Sequence, residues 1–93
     1  MEKEEKEKII KKVSEKVELL LRFFDIDLDE VEADIKCEEL RGVNIVLRAN
    51  NLATTQKLVG KNASTIKLFR ECFKKWGIWN GIHIFLFVEP YKE

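Results

Sequence analysis

"LVGKNASTIKLF", Leu58 to Phe69, decides the fold, because it sets a glycine, a lysine and an asparagine between two helical patterns. Upstream, "NNLATTQKLVG" (Asn50–Gly60) reads as a short helix capped by Asn50 or Asn51 and ended by Gly60. Downstream, Ser64 or Asn62 is placed to cap a second helix running to Trp76, with Gly77 as its stop. In that helix Ile66, Phe69, Cys72, Phe73 and Trp76 gather on one side. Lys67, Arg70 and Lys74, spaced i, i+3, i+7, gather on another.

Working outward, residues 2–24 place Ile9, Ile10, Val13, Val17, Leu20, Leu21 and Phe24 at a 3.6-residue period, which predicts one amphipathic helix. Its start, residues 1–8, is almost purely Glu and Lys and is expected to fray or project. "DIDLDE" ends it, since acidic side chains sit poorly against a helix C-terminus. "VEADIKC" then alternates, with Val31, Ala33, Ile35 and Cys37 on one face. "VNIVLRA" alternates likewise through Val43, Ile45, Leu47 and Ala49. "EELRG" joins these strands as a short turn, with Gly42 free to take positive φ. "IWNG" reads as a turn, and "IHIFLFVE" as a last strand with Ile82, Ile84, Leu86 and Val88 inward, ended by Pro90.

The expected architecture is α+β: a two-layer sandwich in the order α-β-β-α-α-β, with three helices on one face of a three-stranded mixed sheet. The first two strands, tightly joined, should be antiparallel. The crossover through two helices makes the second and third parallel if they are neighbours. Residues 1–93 read as one domain, long enough for a single modest core.

Composition narrows the function classes. The chain is 45% hydrophobic and 37% charged, as expected of a folded domain with a hydrated surface. No apolar run approaches a membrane span, and "MEKEEKEK" lacks a signal-peptide core, so a cytoplasmic location is expected. Cys37 and Cys72 fit no metal-ligand spacing, fall in apolar patterns and read as buried reduced thiols. The net charge of zero hides an asymmetry. Residues 1–40 hold 8 Lys/Arg against 14 Asp/Glu, whereas residues 41–75 hold 8 Lys/Arg against Glu71 alone. A middle third so basic, with "GKNA" inside it, points to a polyanionic partner. Mutual neutralisation of the acidic and basic segments within the fold is the plainer alternative.

The element order around "LVGKNASTIKLF" resembles the type II KH domain, the RNA-binding fold of small bacterial KH proteins and of a core protein of the small ribosomal subunit. The likeness in order spans residues 9–89. It implies a loop that holds the sugar–phosphate backbone of single-stranded RNA, beside a groove for the bases. Carried onto this chain, the loop is Gly60, Lys61, Asn62 and Ala63, with Ser64 opening the next helix. Lys57, Lys67 and Arg70 would add positive charge, and Val59, Ile66 and the residues around Val46 to Arg48 would floor or edge the groove. The family's loop reads G-x-x-G, and Ala63 replaces its second glycine. Alanine is harmless there at helical φ/ψ. At positive φ it costs about 1 kcal/mol.

Other constellations are set aside. Asp25, Asp27 and Asp29 carry calcium-loop spacing, but Glu30 stands where the glycine belongs and Lys36 where the bidentate Glu belongs. Gly60-Lys61 lacks the first glycine and the hydroxyl residue of a nucleotide-hydrolase loop. "NAS" (62–64) is a glycosylation sequon by pattern alone. His83 points outward with no ligand partner. No nucleophile–base pair or paired carboxylate assembles, so neither catalysis, a cofactor nor a small-molecule substrate is expected. Finally, alternation turns Phe85 and Phe87 away from the helices, with Val46 beside them. That face suits a homodimer or a protein partner. A protein-interaction module that has lost RNA binding is therefore the alternative function.

Overall fold

The computed structural model describes residues 2–92. In chain order these form helix α1 (Lys3–Phe23), a 3-10 turn (Leu28–Glu30), strands β1 (Val31–Cys37) and β2 (Gly42–Ala49), helix α2 (Leu52–Val59), a second 3-10 turn (Lys61–Ala63), helix α3 (Ser64–Asn80) and strand β3 (His83–Val88). The expected order α-β-β-α-α-β is therefore present. β1 pairs antiparallel with β2 from Val31↔Ala49 to Cys37↔Val43. β2 pairs parallel with β3 from Gly42↔His83 to Leu47↔Val88. The sheet is mixed, with β2 central and β1 and β3 as its edges.

The core follows the periodicities. Ile9, Val13, Val17 and Leu21 fall four residues apart on α1 and are all buried. They join Val43, Ile45 and Leu47 of β2, Leu58 of α2, Ile66, Phe69 and Phe73 of α3, and Leu86 of β3 in one cluster. Phe24 and Phe69 close it edge-to-face with ring centroids 5.2 Å apart. The apolar patterns overreach at Ala33, which is exposed on edge strand β1, and at Cys37 and Cys72, which are half-buried and not buried.

The chain reversals have local causes that periodicity does not encode. α1 ends in a Schellman motif: Ile26 N–H donates to Leu21 O (2.9 Å) and Asp25 N–H to Arg22 O (3.0 Å). Asp25 holds the left-handed position with φ 56°. In the β1–β2 turn the positive φ belongs to Arg41 (59°), not Gly42. Arg41 is held there because its Nε donates to Gly81 O (2.8 Å) and its Nη1 to Glu5 Oε1 (2.9 Å). The start of α1, expected to project, is helical from Lys3, and Lys6 also pairs with Glu39 at 2.6 Å.

α3 does not stop at Gly77 but runs one turn further, so Ile78–Asn80 are helical and not a turn. Gly77 keeps helical backbone and is needed for another reason: a β-carbon there would lie 2.4 Å from Ile82 O. The left-handed residue is Gly81 (φ 65°), and Ile82 N–H returns to Gly77 O at 2.8 Å.

Candidate nucleic-acid interface

α2 delivers the chain to the "GKNA" corner. Asn51, not Asn50, caps it, accepting from Thr54 N–H at 2.7 Å. The buried Thr54 hydroxyl donates to Glu30, tying the helix start to the turn before β1. At the other end Gly60 N–H donates to Gln56 O (2.8 Å), and Gly60 takes φ 77°, ψ 168°.

Gly60 is required twice over. Its φ favours glycine, and a β-carbon would lie 2.3 Å from Thr65 Oγ1 and 2.7 Å from the Thr65 backbone nitrogen. The corner thus presses bare backbone onto the first turn of α3. Asn62 (φ 55°) and Ala63 (φ 61°) then turn left-handed in succession. Asn tolerates this conformation; Ala63 is strained by roughly 1–2 kcal/mol. The expected caps Ser64 and Asn62 make no capping bond, because Ala63 occupies the N-cap position and has no polar side chain to offer. No acidic residue stands in the first turn of α3. The helix N-terminus, with its partial positive charge, is therefore left without an anionic or side-chain partner, beside exposed Lys61 and Asn62.

From this corner a flank of α3 leads away. Lys67, Arg70, Lys74 and Ile78 lie on one helical face, all exposed. Arg70, Lys74 and Ile78 line a groove of about 520 Å³ whose other wall is β3 from Ile82 to Phe87. That wall is an open strand edge. His83 N–H bonds to Arg41 O, just before β2, and Glu89 N–H to Leu47 O within it, so the backbone groups of Ile84, Leu86 and Val88 face away from the sheet. Arg70 Nε donates to one of them, Leu86 O, at 3.0 Å. Among the described residues, Lys57, Lys61, Lys67, Arg70 and Lys74 form no ion pair within 4.0 Å. The acidic N-terminal helix instead spends Glu5 on Arg41. Lys57 lies near enough to Glu30 to favour its charged form, but Lys61, Lys67, Arg70 and Lys74 are not spent in ion pairs with the acidic segment.

The structure brings together Gly60, Lys61, Asn62, Ala63 and Ser64 at the corner and sets Lys67 and Arg70 along the flank. Lys57 is exposed on α2, whereas Val59 is half-buried against the core and Ile66 is buried within it. The stretch Val46–Arg48 does not edge this groove. Val46 pairs with Phe87 on the outer face of the sheet, and Arg48 is engaged there with Asp34 (3.8 Å) and Glu89. Phe85 and Phe87 are 53% and 51% exposed on that face, and Trp79, at 87% exposed, gives them no cover. Sequence reasoning missed the open edge of β3. Its only signal was the parallel pairing, which fixes which backbone groups are left outside.

Among the described residues no three His, Cys, Asp or Glu side chains are grouped to hold a metal ion. No helix of the described residues is long and apolar enough to cross a membrane. Comparison with known protein families, with curated proteins and with solved structures finds no match to this chain.

Proposed function

We propose that this chain is a type II KH-like binding module, its three helices on one face of the sheet, that holds single-stranded RNA. Gly60, Lys61, Asn62 and Ala63 grip the sugar–phosphate backbone at the start of α3. Lys67, Arg70 and Lys74 extend the grip along the flank, and bases lie in the groove against β3. The observation that carries this reading is Ala63. A non-glycine residue is held left-handed at a helix start that lacks both cap and acid. Such strain persists only where the surrounding structure over-determines it, and it gathers at functional sites. Gly60, Ala63 and Ser64 spend their N–H groups on Gln56 O, Gly60 O and Lys61 O, so an anion here is held by the exposed Lys61 and Asn62 side chains beside the partial positive charge of the uncapped helix start.

RNA fits better than a free anion, because four cations follow one another from Lys61 to Lys74 beside an apolar groove. One such domain takes only a short segment, so binding is weak, salt-dependent and modest in sequence preference. The setting is proposed to be cytoplasmic, and the activity is binding without catalysis. The exposed Phe85 and Phe87 favour the second reading, a protein-interaction module on the same scaffold that no longer grips RNA.

Fluorescence anisotropy with a pool of short single-stranded RNAs separates the two. Native protein binds at low salt, and a folded Lys61→Asp, Asn62→Asp variant does not. Equal binding by both proteins would remove the clamp, and no binding by either would leave the interaction-module reading.

A further inference from the structure

The groove takes the margin of Phe85 and Phe87 but leaves the rest of the outer face of the sheet, across β2 and β1, unused. Register fixes its layout in rows across β1, β2 and β3: Lys36–Asn44–Phe85, then Asp34–Val46–Phe87, then Glu32–Arg48 with Glu89 beyond the end of β3. Phenylalanines line one side and charges the other. Occupants of that face must match this lateral asymmetry.

We propose that the face is the contact surface between two copies of this chain, stacked about a two-fold axis in the interface plane and perpendicular to the strands. This axis lays β3 over the partner's β3 and β1 over the partner's β1, running antiparallel. With the axis midway between the first two rows, Phe85 of each copy meets Phe87 of the other. Lys36 meets Asp34, and His83 meets Glu89. Aromatic area thus covers aromatic area, and the opposed charges at the Lys36 position differ in sign. An axis parallel to the strands would instead lay the charged Lys36 and Asp34 over the phenylalanines and Glu32 over Glu89. Pairing through the open edge of β3 would set Arg70 and Lys74 against their own copies. The aromatic overlap and the Lys36–Asp34 pairing favour the first arrangement, against one like-charge meeting of Glu38 with Glu32.

Area sets the strength. Three strands about 4.8 Å apart and six residues at about 3.3 Å rise present a face of roughly 14 by 20 Å. That is well short of the ~800 Å² per partner of a stable interface, so the dimer forms only at high protein concentration. The arrangement leaves the "GKNA" corner uncovered on both copies, while Phe85 and Phe87, which also line the groove beside α3, are taken up in the contact. It does not depend on the RNA reading.

Sedimentation equilibrium without RNA, over about 5 µM to 1 mM protein, tests this directly. The native mass is expected to rise from one 11.0 kDa chain toward two. Phe87→Glu is expected to stay monomeric, and Lys36→Glu to weaken association about tenfold. Lys36→Glu with Asp34→Lys is expected to restore it, because the exchange leaves the intermolecular pair intact. A native mass fixed at one chain would overturn the proposal. So would association of Phe87→Glu at native strength, or failure of the exchanged pair to recover. Lys36 is exposed, so its variants stand as a test even if Phe87→Glu fails to fold.

Discussion

Replacing Ala63 by glycine should stabilise this protein, although the residue opens a helix. Ala63 sits at φ 61°, ψ 25°, where a side chain costs roughly 1–2 kcal/mol that glycine does not incur. Two effects oppose the gain. The methyl group is half-buried against the core, and losing it forfeits about 0.4 kcal/mol, half the value of a fully buried carbon. Glycine also loosens the unfolded chain by about 0.4–1 kcal/mol. The balance is a gain of about 0.4 kcal/mol, or some 2–3 °C in Tm for a chain of this size. The informative comparison is Ala53→Gly, at an exposed position inside α2 with ordinary helical backbone, which should cost about 0.5–1 kcal/mol. Urea unfolding followed by far-UV circular dichroism would give both values at unchanged m. If Ala63→Gly proves as costly as Ala53→Gly, the residue is not left-handed and the strained-corner reasoning fails.

Four further outcomes are expected. Asp25→Asn should stabilise by about 0.5 kcal/mol, since it keeps a residue tolerant of φ 56° while removing a negative charge from the C-terminus of α1; a fall in Tm would contradict this. Gly77→Ala should destabilise by about 2 kcal/mol or more despite better helix propensity, because its β-carbon meets Ile82 O at 2.4 Å; denaturant midpoints decide it. The Glu30 carboxyl is held below its usual range, chiefly by the Thr54 hydroxyl and then by Asn51. A depressed carboxylate contributes stability above its unfolded pKa and loses it as pH falls through the folded one, so Tm should drop from about pH 5 downward. Glu30→Gln should flatten that acid limb, and superimposable Tm–pH curves would count against the contact. For RNA, about four cations on phosphates imply a slope of log K against log salt near −3; a slope near zero would exclude the basic flank.

Much of this was legible because it rests on periodicity. Ile9, Val13, Val17 and Leu21 announce their face of α1, and the alternation through β2 names three of its buried residues. "GKNA" was visible as a corner beside positive charge. What escaped depends on contacts between distant segments. Gly77 and Gly81 look alike in sequence, yet one admits a carbonyl and the other turns the chain, and only the return of Ile82 distinguishes them. Gly42 was the cheaper residue for positive φ, but Arg41 takes it because its guanidinium reaches Asn80 O and Gly81 O nearly forty residues away. The sign of φ at Ala63 was left open by the sequence, since alanine suits a helix and the left-handed path belongs to the folded corner, where Gly60 lies close against Thr65. The groove wall was missed because a free strand edge is a property of sheet order, which no local pattern encodes.

The central claim is that RNA runs from the corner along α3 and against the open edge of β3. Amide shift mapping by two-dimensional NMR, with a short single-stranded RNA added in steps, tests it most directly. The account predicts perturbations concentrated at Gly60–Lys67, at Arg70 and Lys74, and at Ile84, Leu86 and Val88. Shifts confined to Lys36, Asn44 and Val46, or absent throughout, would contradict it.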